Sequence, residues 1–223
     1  MKLIQYLMNS ISVTRKVAEQ IIKERRVSLN SEITDSYSAK INPEDKICLD
    51  NKIIKLQALE IYLFHKPKNV IVSSKHDDER DIIYDLIPKE LHHLKYIGRL
   101  DANSEGLLLL TNSAEFKSYI ENPCNDIEKI YKIRCFGSIP EQDLARLERP
   151  ITIDGITYQL KDIKLIKQSI NSWYQIILTE GKNREIRKVF DYINCPVSRI
   201  IRTNVDRYEL GDMTAGELIK VNE

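Results

Sequence analysis

Tyr96-Ile97-Gly98-Arg99-Leu100-Asp101-Ala102-Asn103-Ser104-Glu105-Gly106-Leu107-Leu108-Leu109-Leu110-Thr111-Asn112 is the stretch on which the chain turns. Four consecutive leucines suit a strand buried on both faces and are too few for a free-standing helix. The polar segment before them must then be a loop that enters the core. That loop carries Arg99 and Asp101 two residues apart, so a carboxylate is fixed where a buried strand begins, with a cation beside it. Two readings stand at this point: a reactive group at a site, or a surface turn with an ion pair of little worth.

Working outward, the 223 residues suffice for one large domain or a small and a medium one, and 42% hydrophobic content supplies a core. No apolar run reaches the roughly 20 residues of a membrane span, and the N-terminus lacks a signal-peptide layout, so a cytoplasmic protein is expected. Cys48, Cys124, Cys135 and Cys195 are widely separated, which points to reduced thiols and to neither a zinc site nor a disulfide framework. His92 and His93 are adjacent, which is not metal-ligand spacing. The net charge of +1 hides a division. Residues 1–30 hold six Lys/Arg against two acidic residues, and residues 181–207 hold seven against three, so each segment is +4 and the remainder −7. Two basic segments that also carry regular apolar residues suggest specific polyanion contacts.

In the first segment Leu3, Ile4, Leu7 and Met8 fall at helical spacing. Thr14 can cap a second helix with Val17, Ala18, Ile21 and Ile22 on one face and Arg15, Lys16, Lys23, Arg25 and Arg26 on or beside the other. Short strands follow at Val27–Asn30 and Lys46–Leu49, and residues 51–59 read as a linker. Beyond it, strands are expected at Ile61–Phe64, Val70–Val72, Lys129–Gly137, Ile151–Ile153, Lys161–Leu165, Tyr174–Leu178 and Ser198–Arg202, with Glu209–Leu210 and Leu218–Val221 closing the sheet. Helices are expected at Ile82–Ile87, Ala114–Ile120, from Pro140 to Leu147, and at Arg184–Tyr192; the charged residues 75–81 read as an exposed loop.

Several motifs together resemble a known family. Gly98-Arg99-Leu100-Asp101 with Ser104 to Asn112 is similar to the catalytic motif of pseudouridine synthases of the RsuA/RluB group. Lys66-Pro67, Lys129-x-Tyr131 and Glu180-Gly181-Lys182-Asn183-Arg184-Glu185-Ile186-Arg187-Lys188 resemble that group's other motifs, in the right order. The N-terminal segment looks like an S4 domain, with Thr14-Arg15 and Arg25-Arg26-Val27-Ser28-Leu29-Asn30-Ser31 at the signature positions. Departures from the family patterns are Arg25, Ser31, Asn69 and Asp206 where or near where glycine is usual, and Ser113-Ala114-Glu115 where another glycine is expected.

The resemblance implies an α+β protein: an S4-like RNA-docking module at residues 1–53, and a catalytic domain at residues 60–223 on a mixed, mainly antiparallel sheet. It implies isomerisation of a uridine in ribosomal RNA (23S ahead of 16S) to pseudouridine, on free RNA or a pre-ribosomal particle, by a monomer with no cofactor and no metal. Asp101 is then the essential carboxylate and Arg187 its cationic partner. Arg99 fills the RNA when the uridine turns out, and Tyr131 and Ile186 enclose the uracil. Arg15, Lys16, Arg25, Arg26, Lys182, Arg184 and Lys188 are expected to meet phosphates. Taken singly, Tyr131 could be ordinary core and Arg187 a surface helix residue, and Lys66 could be structural or RNA-facing. A non-catalytic RNA-binding or ribosome-assembly protein is the reading from another class.

Overall fold

The computed structural model describes residues 1–11, 13–76 and 79–222; the expected loop at 75–81 therefore lies partly outside the described residues. The chain begins with α1 (Leu3–Ser10), α2 (Arg15–Lys23) and four short strands, β1 (Val27–Leu29), β2 (Glu32–Ile33), β3 (Ile47–Leu49) and β4 (Lys52–Ile53). The strands form a sheet of order β2-β1-β3-β4. Leu3, Leu7, Ala18, Ile22, Val27 and Ile47 close one apolar cluster beneath it. Thr14 caps α2 through Val17 N, as its spacing suggests. Val17 itself is 45% exposed rather than part of the apolar face: its place between the cap and the inward Ala18 turns it outward. Residues 51–59 are not wholly a linker, because Asp50 and Asn51 both take positive φ and turn the chain into β4.

β5 (Ile61–Lys66) opens the large sheet, and β6 (Lys95–Ile97), β7 (Glu105–Thr111), α3 (Ala114–Glu121), β8 (Lys129–Cys135) and α4 (Glu141–Leu147) follow. Then come β9 (Ile151–Ile153), β10 (Ile156–Tyr158), β11 (Asp162–Lys167), β12 (Trp173–Leu178), α5 (Glu185–Tyr192), β13 (Val197–Val205), β14 (Tyr208–Glu209) and β15 (Leu218–Lys220). The main order is β11-β12-β8-β13-β7-β5-β15, with β6 on β7 and β14 on β13; β9 and β10 form a separate ribbon. Among the described residues of the main sheet, only β13 with β7 is parallel. It is the mixed, mainly antiparallel sheet expected.

All seven residues of β7 are buried. Leu108 and Leu110 face one cluster, with Phe64, Tyr131, Ile133, Tyr174 and Ile176, that α4 and α5 cover. Leu107 and Leu109 face another, with Ile61, Ile97 and Ile120, that α3 covers. Period-two alternation between two covered faces is why an all-leucine run is a strand here.

Two expected elements are weaker than their sequence suggests. Val70–Val72 makes only a bridge from Ile71 to Ile82; Val70 and Val72 are buried by packing, without a ladder. Ile82–Ile87 contains a single 3-10 turn, Ile83–Asp85, closed by Asp85 Oδ2 accepting from Ile82 N at 2.7 Å. The strand expected at Ser198–Arg202 runs longer, Val197–Val205, and β2, β6 and β10 add to the strands expected.

Candidate active site

The Gly98–Ser104 loop crosses from β6 to β7 on the side of Leu108 and Tyr131. It is held by hydrogen bonds at Gly98, Asp101, Ala102 and Ser104. Gly98 N donates to Glu121 Oε1 at 2.7 Å, Ser104 N to Asp101 O at 2.9 Å, and Asn69 N to Ala102 O at 2.7 Å. Lys66, with no exposed surface, sits under the loop and donates from Nζ to Ser104 O (2.7 Å), Pro67 O (2.8 Å) and Ala102 O (3.3 Å). The open choice for Lys66 is thereby resolved: it is structural, not RNA-facing. Burial pulls its pKa down to about 8, while the charges of Asp101 and Glu105 oppose that fall.

Gly106 makes the close approach possible. At φ 109° it lies against β13 so tightly that a Cβ would stand 2.3 Å from Arg202 O and 2.6 Å from Arg202 N. No other residue fits there.

The Asp101 side chain remains 31% exposed, and its Oδ2 is 3.9 Å from Arg187 Nε. Arg187 is fixed from behind, with Nη1 donating to Val197 O at 2.9 Å and Nη2 to Asn103 O at 3.4 Å. Burial lowers its pKa and the Asp101 charge raises it. Arg99 is exposed, has no partner among the described residues, and makes no ion pair with Asp101. Tyr131, 6% exposed, and Asp101 both line a cleft of about 770 Å³. A smaller recess beside it, about 80 Å³, brings Asp101, Tyr131, Ile186 and Arg187 together with Arg99 and Arg184. Arg184 adopts φ 50° as the residue before α5, which projects it from the helix start. That is also why the helix begins at Glu185 and not at Arg184.

The remaining cations divide into free and engaged. Lys182 donates to Thr157 O at 2.6 Å and also pairs with Glu180, and Lys188 donates to the Tyr158 hydroxyl at 3.2 Å. Both lie over the Tyr158 ring, at 5.6 and 5.8 Å from its centre, and of the two Lys182 lines the cleft. In the N-terminal segment Arg15 pairs with Glu19 at 2.8 Å, and Arg26 holds Asp50 through Nε and Nη2 at 2.9 and 2.6 Å. Lys16 and Arg25 are exposed and have no partner among the described residues.

Arg202 escapes a reading of the sequence, while Lys129 and Glu185 stand in the quoted motifs without a role assigned to them. Arg202, 3% exposed, donates from Nε to Leu107 O at 2.7 Å and leaves Nη2 without a partner in the cleft wall. Lys129 is held by Ile127 O and Thr179 O, at 3.0 and 2.8 Å, and burial lowers its pKa with Arg202 adding to the effect. Glu185, 3% exposed, accepts from Lys182 N at 3.0 Å and leaves Oε1 without a partner; burial pushes its pKa up to about 8, with the neighbouring Glu180 adding to the rise. The signal for Arg202 is its burial in a strand, which no local pattern encodes.

A carboxylate backed by a half-buried arginine, in a cation-lined cleft, defines an enzyme directed at a polyanion. Residues 60–192 match the family model described as RNA pseudouridylate synthase. The chain is 30% identical over 223 residues to an uncharacterized RNA pseudouridine synthase of Rickettsia prowazekii (strain Madrid E), covering 99% of this chain and 94% of that one. It is 32% identical over 198 residues to the ribosomal large subunit pseudouridine synthase B of Salmonella typhi, covering 85% of this chain and 68% of that one. A crystal structure of a pseudouridylate synthase shares the fold, with a TM-score of 0.68, 22% identity, and coverage of 100% and 96%. The chain belongs to the RNA pseudouridylate synthase family and is an isomerase acting on RNA.

Proposed function

We propose that this protein converts one uridine of large-subunit (23S) ribosomal RNA to pseudouridine, with Asp101 as the reacting carboxylate. The observation that carries the reading is the position of Asp101: half-open to the cleft, 3.9 Å from the anchored Arg187, with Tyr131 lining the same recess. The RNA assignment to the large subunit leans on the likeness to the Salmonella typhi enzyme.

The reaction breaks the bond from uracil N1 to C1′, turns the base, and forms a bond from C5 to C1′, with the C5 proton given up and N1 protonated. Nothing is oxidised and no group enters from outside. A carboxylate can serve by attacking C1′, by attacking the base, or by taking a proton at C2′, and Arg187 lies 3.9 Å away as its counter-charge. A uridine inside a helix is out of reach of Asp101, so it is flipped. The exposed Arg99 takes the vacated space, Tyr131 stacks on the uracil, and Ile186 closes the recess. Arg184, with Lys182 and Lys188 at the margin, meets phosphates.

Residues 1–53 are assigned as an S4-like docking module and residues 60–223 as the catalytic domain. The separate apolar cluster of the first segment supports this division. Lys16 and Arg25 present free charge to RNA; Arg15 and Arg26 do so from within ion pairs. We assign the protein as a monomer. No helix among the described residues is long and apolar enough to cross a membrane.

Asp101→Asn keeps size and shape but removes the ionised group, and should abolish pseudouridine formation, a loss of at least ~1,000-fold, while RNA affinity stays within about twofold. Mapping pseudouridines in ribosomal RNA from cells with and without the gene identifies the nucleotide. An unchanged map, or an active Asp101→Asn protein, overturns the reading.

A further inference from the structure

The side of the main sheet opposite Tyr131 is covered over only part of its area. α3 packs its buried Ile120 against β6 and β7, while α4 and α5 give their buried residues to the other side and α1 and α2 to their own cluster. Over β8, β11, β12 and the first half of β13, no helix lies on this face among the described residues. Pairing register identifies what the face carries. Arg134 stands directly opposite Trp173 on β12 and Arg199 on β13; Lys132 stands opposite Gln175 and Ile201; Lys167 stands opposite Trp173 on β11.

Trp173 is the chain's only tryptophan. It is half-buried, with the Arg199 guanidinium 5.9 Å from its ring centre. Phe136, just past the end of β8, is 69% exposed. The acidic residues nearby are already matched: Glu105 by Arg199 at 2.5 Å and Asp162 by Lys164 at 2.9 Å. Lys132, Arg134 and Lys167 have no partner among the described residues, so the face carries three unbalanced positive charges around an aromatic platform.

We propose that this open face binds a single-stranded segment of the substrate RNA, with bases stacking on Trp173 and phosphates meeting Lys132, Arg134 and Lys167. The proposal rests on the reading that the protein acts on RNA and adds a second binding surface, on the side of the sheet away from Asp101. Charge complementarity selects RNA. A protein partner is disfavoured because lysine is depleted at protein interfaces, whereas cations interleaved with aromatics are the composition of single-strand platforms. A duplex is disfavoured because its bases are already stacked and offer no face to an indole.

The lone tryptophan reports its own occupancy. In the full-length protein, titration with oligouridylate should quench the fluorescence of Trp173, and a duplex RNA of equal length should quench it much less. Lys132→Glu/Arg134→Glu, two surface changes that leave the fold intact, should weaken the quenching association at least about tenfold. They should also reduce the salt slope of log K by about 1.4, or about 0.7 for each phosphate no longer neutralised. Trp173→Ala should lower affinity for labelled oligouridylate roughly tenfold and Trp173→Phe should restore most of it. No quenching, equal quenching by the duplex, or quenching that survives the double charge reversal overturns the proposal. The titration needs no turnover and can be run on Asp101→Asn, so failure of the catalytic reading and failure of this one are separately visible.

Discussion

Lys66 shows how much a single buried cation can organise. Its three donors hold the two carbonyls that flank Asn103 and the carbonyl next to itself, so the loop bearing Asp101 is fixed from below. Lys66→Met keeps the apolar stem and loses all three bonds; single-turnover kinetics should show a fall of roughly 10–100-fold in rate with a smaller change in RNA affinity. The pH dependence follows from its lowered pKa. The folded protein releases this proton near pH 8, below the ordinary 10.5. Between those values the unfolded chain holds more protons, so this group makes stability rise with pH. The amine also loses a donor and its charge there, so activity should fall above pH 8 in the wild type, and Lys66→Met should lack that limb. Glu185 has the opposite sign. Its folded pKa of about 8 lies above the ordinary 4.5, so the fold holds the extra proton and stability falls as pH rises through that window. Glu185→Gln keeps an acceptor for Lys182 N and removes the ionisation. Thermal melts should show it more stable at pH 7 by on the order of 1 kcal/mol, with the advantage vanishing below pH 4.5.

At the scale of elements, β7 and the turns around it show what was legible in the chain and what was not. The leucine run, the Thr14 cap and the loop-to-strand transition at Asp101 were readable because each is local: a period, a cap, a run length. The convergence of Lys66, Lys129, Tyr131, Arg187 and Arg202 was partly visible through motif order, but Arg202 and the role of Lys66 depend on pairing between distant strands. Val70–Val72 misled because an apolar β-branched triplet buries itself without needing a ladder. The missing glycines have a physical explanation: Arg25, Ser31, Asn69 and Asp206 all take positive φ, from 52° to 74°. The left-handed turns survive the loss of glycine at a cost of about 1 kcal/mol each. Gly106 permits no such replacement. Gly106→Ala must push β13 from β7, and should destabilise the protein by more than about 3 kcal/mol in denaturant unfolding, with activity lost in whatever remains folded.

Across the whole molecule, the N-terminal module and the main sheet meet through few groups. Ala114 N donates to Asn9 Oδ1 at 3.4 Å, where α1 lies against α3. The two large clusters of the main sheet contain no residue from the first 53. Deleting residues 1–53 should therefore leave a cooperative unfolding transition in the remainder. RNA affinity should fall at least about tenfold, and the salt slope by about 0.7 for each phosphate that the module neutralises. A truncated chain that modifies RNA with unchanged affinity would remove the docking role.

β13, near the end of the chain, lies between β8 and β7 in the middle of the sheet. During synthesis the N-terminal module is complete long before that central place is filled, so its basic surface forms while the catalytic centre is still absent. A chain stopped before residue 197 cannot close its sheet, lacks the backbone that backs Gly106, and leaves Arg187 without its carbonyl anchor. Truncation or stalling before residue 197 thus yields an exposed, unsealed sheet prone to aggregate, and never a weakly active enzyme.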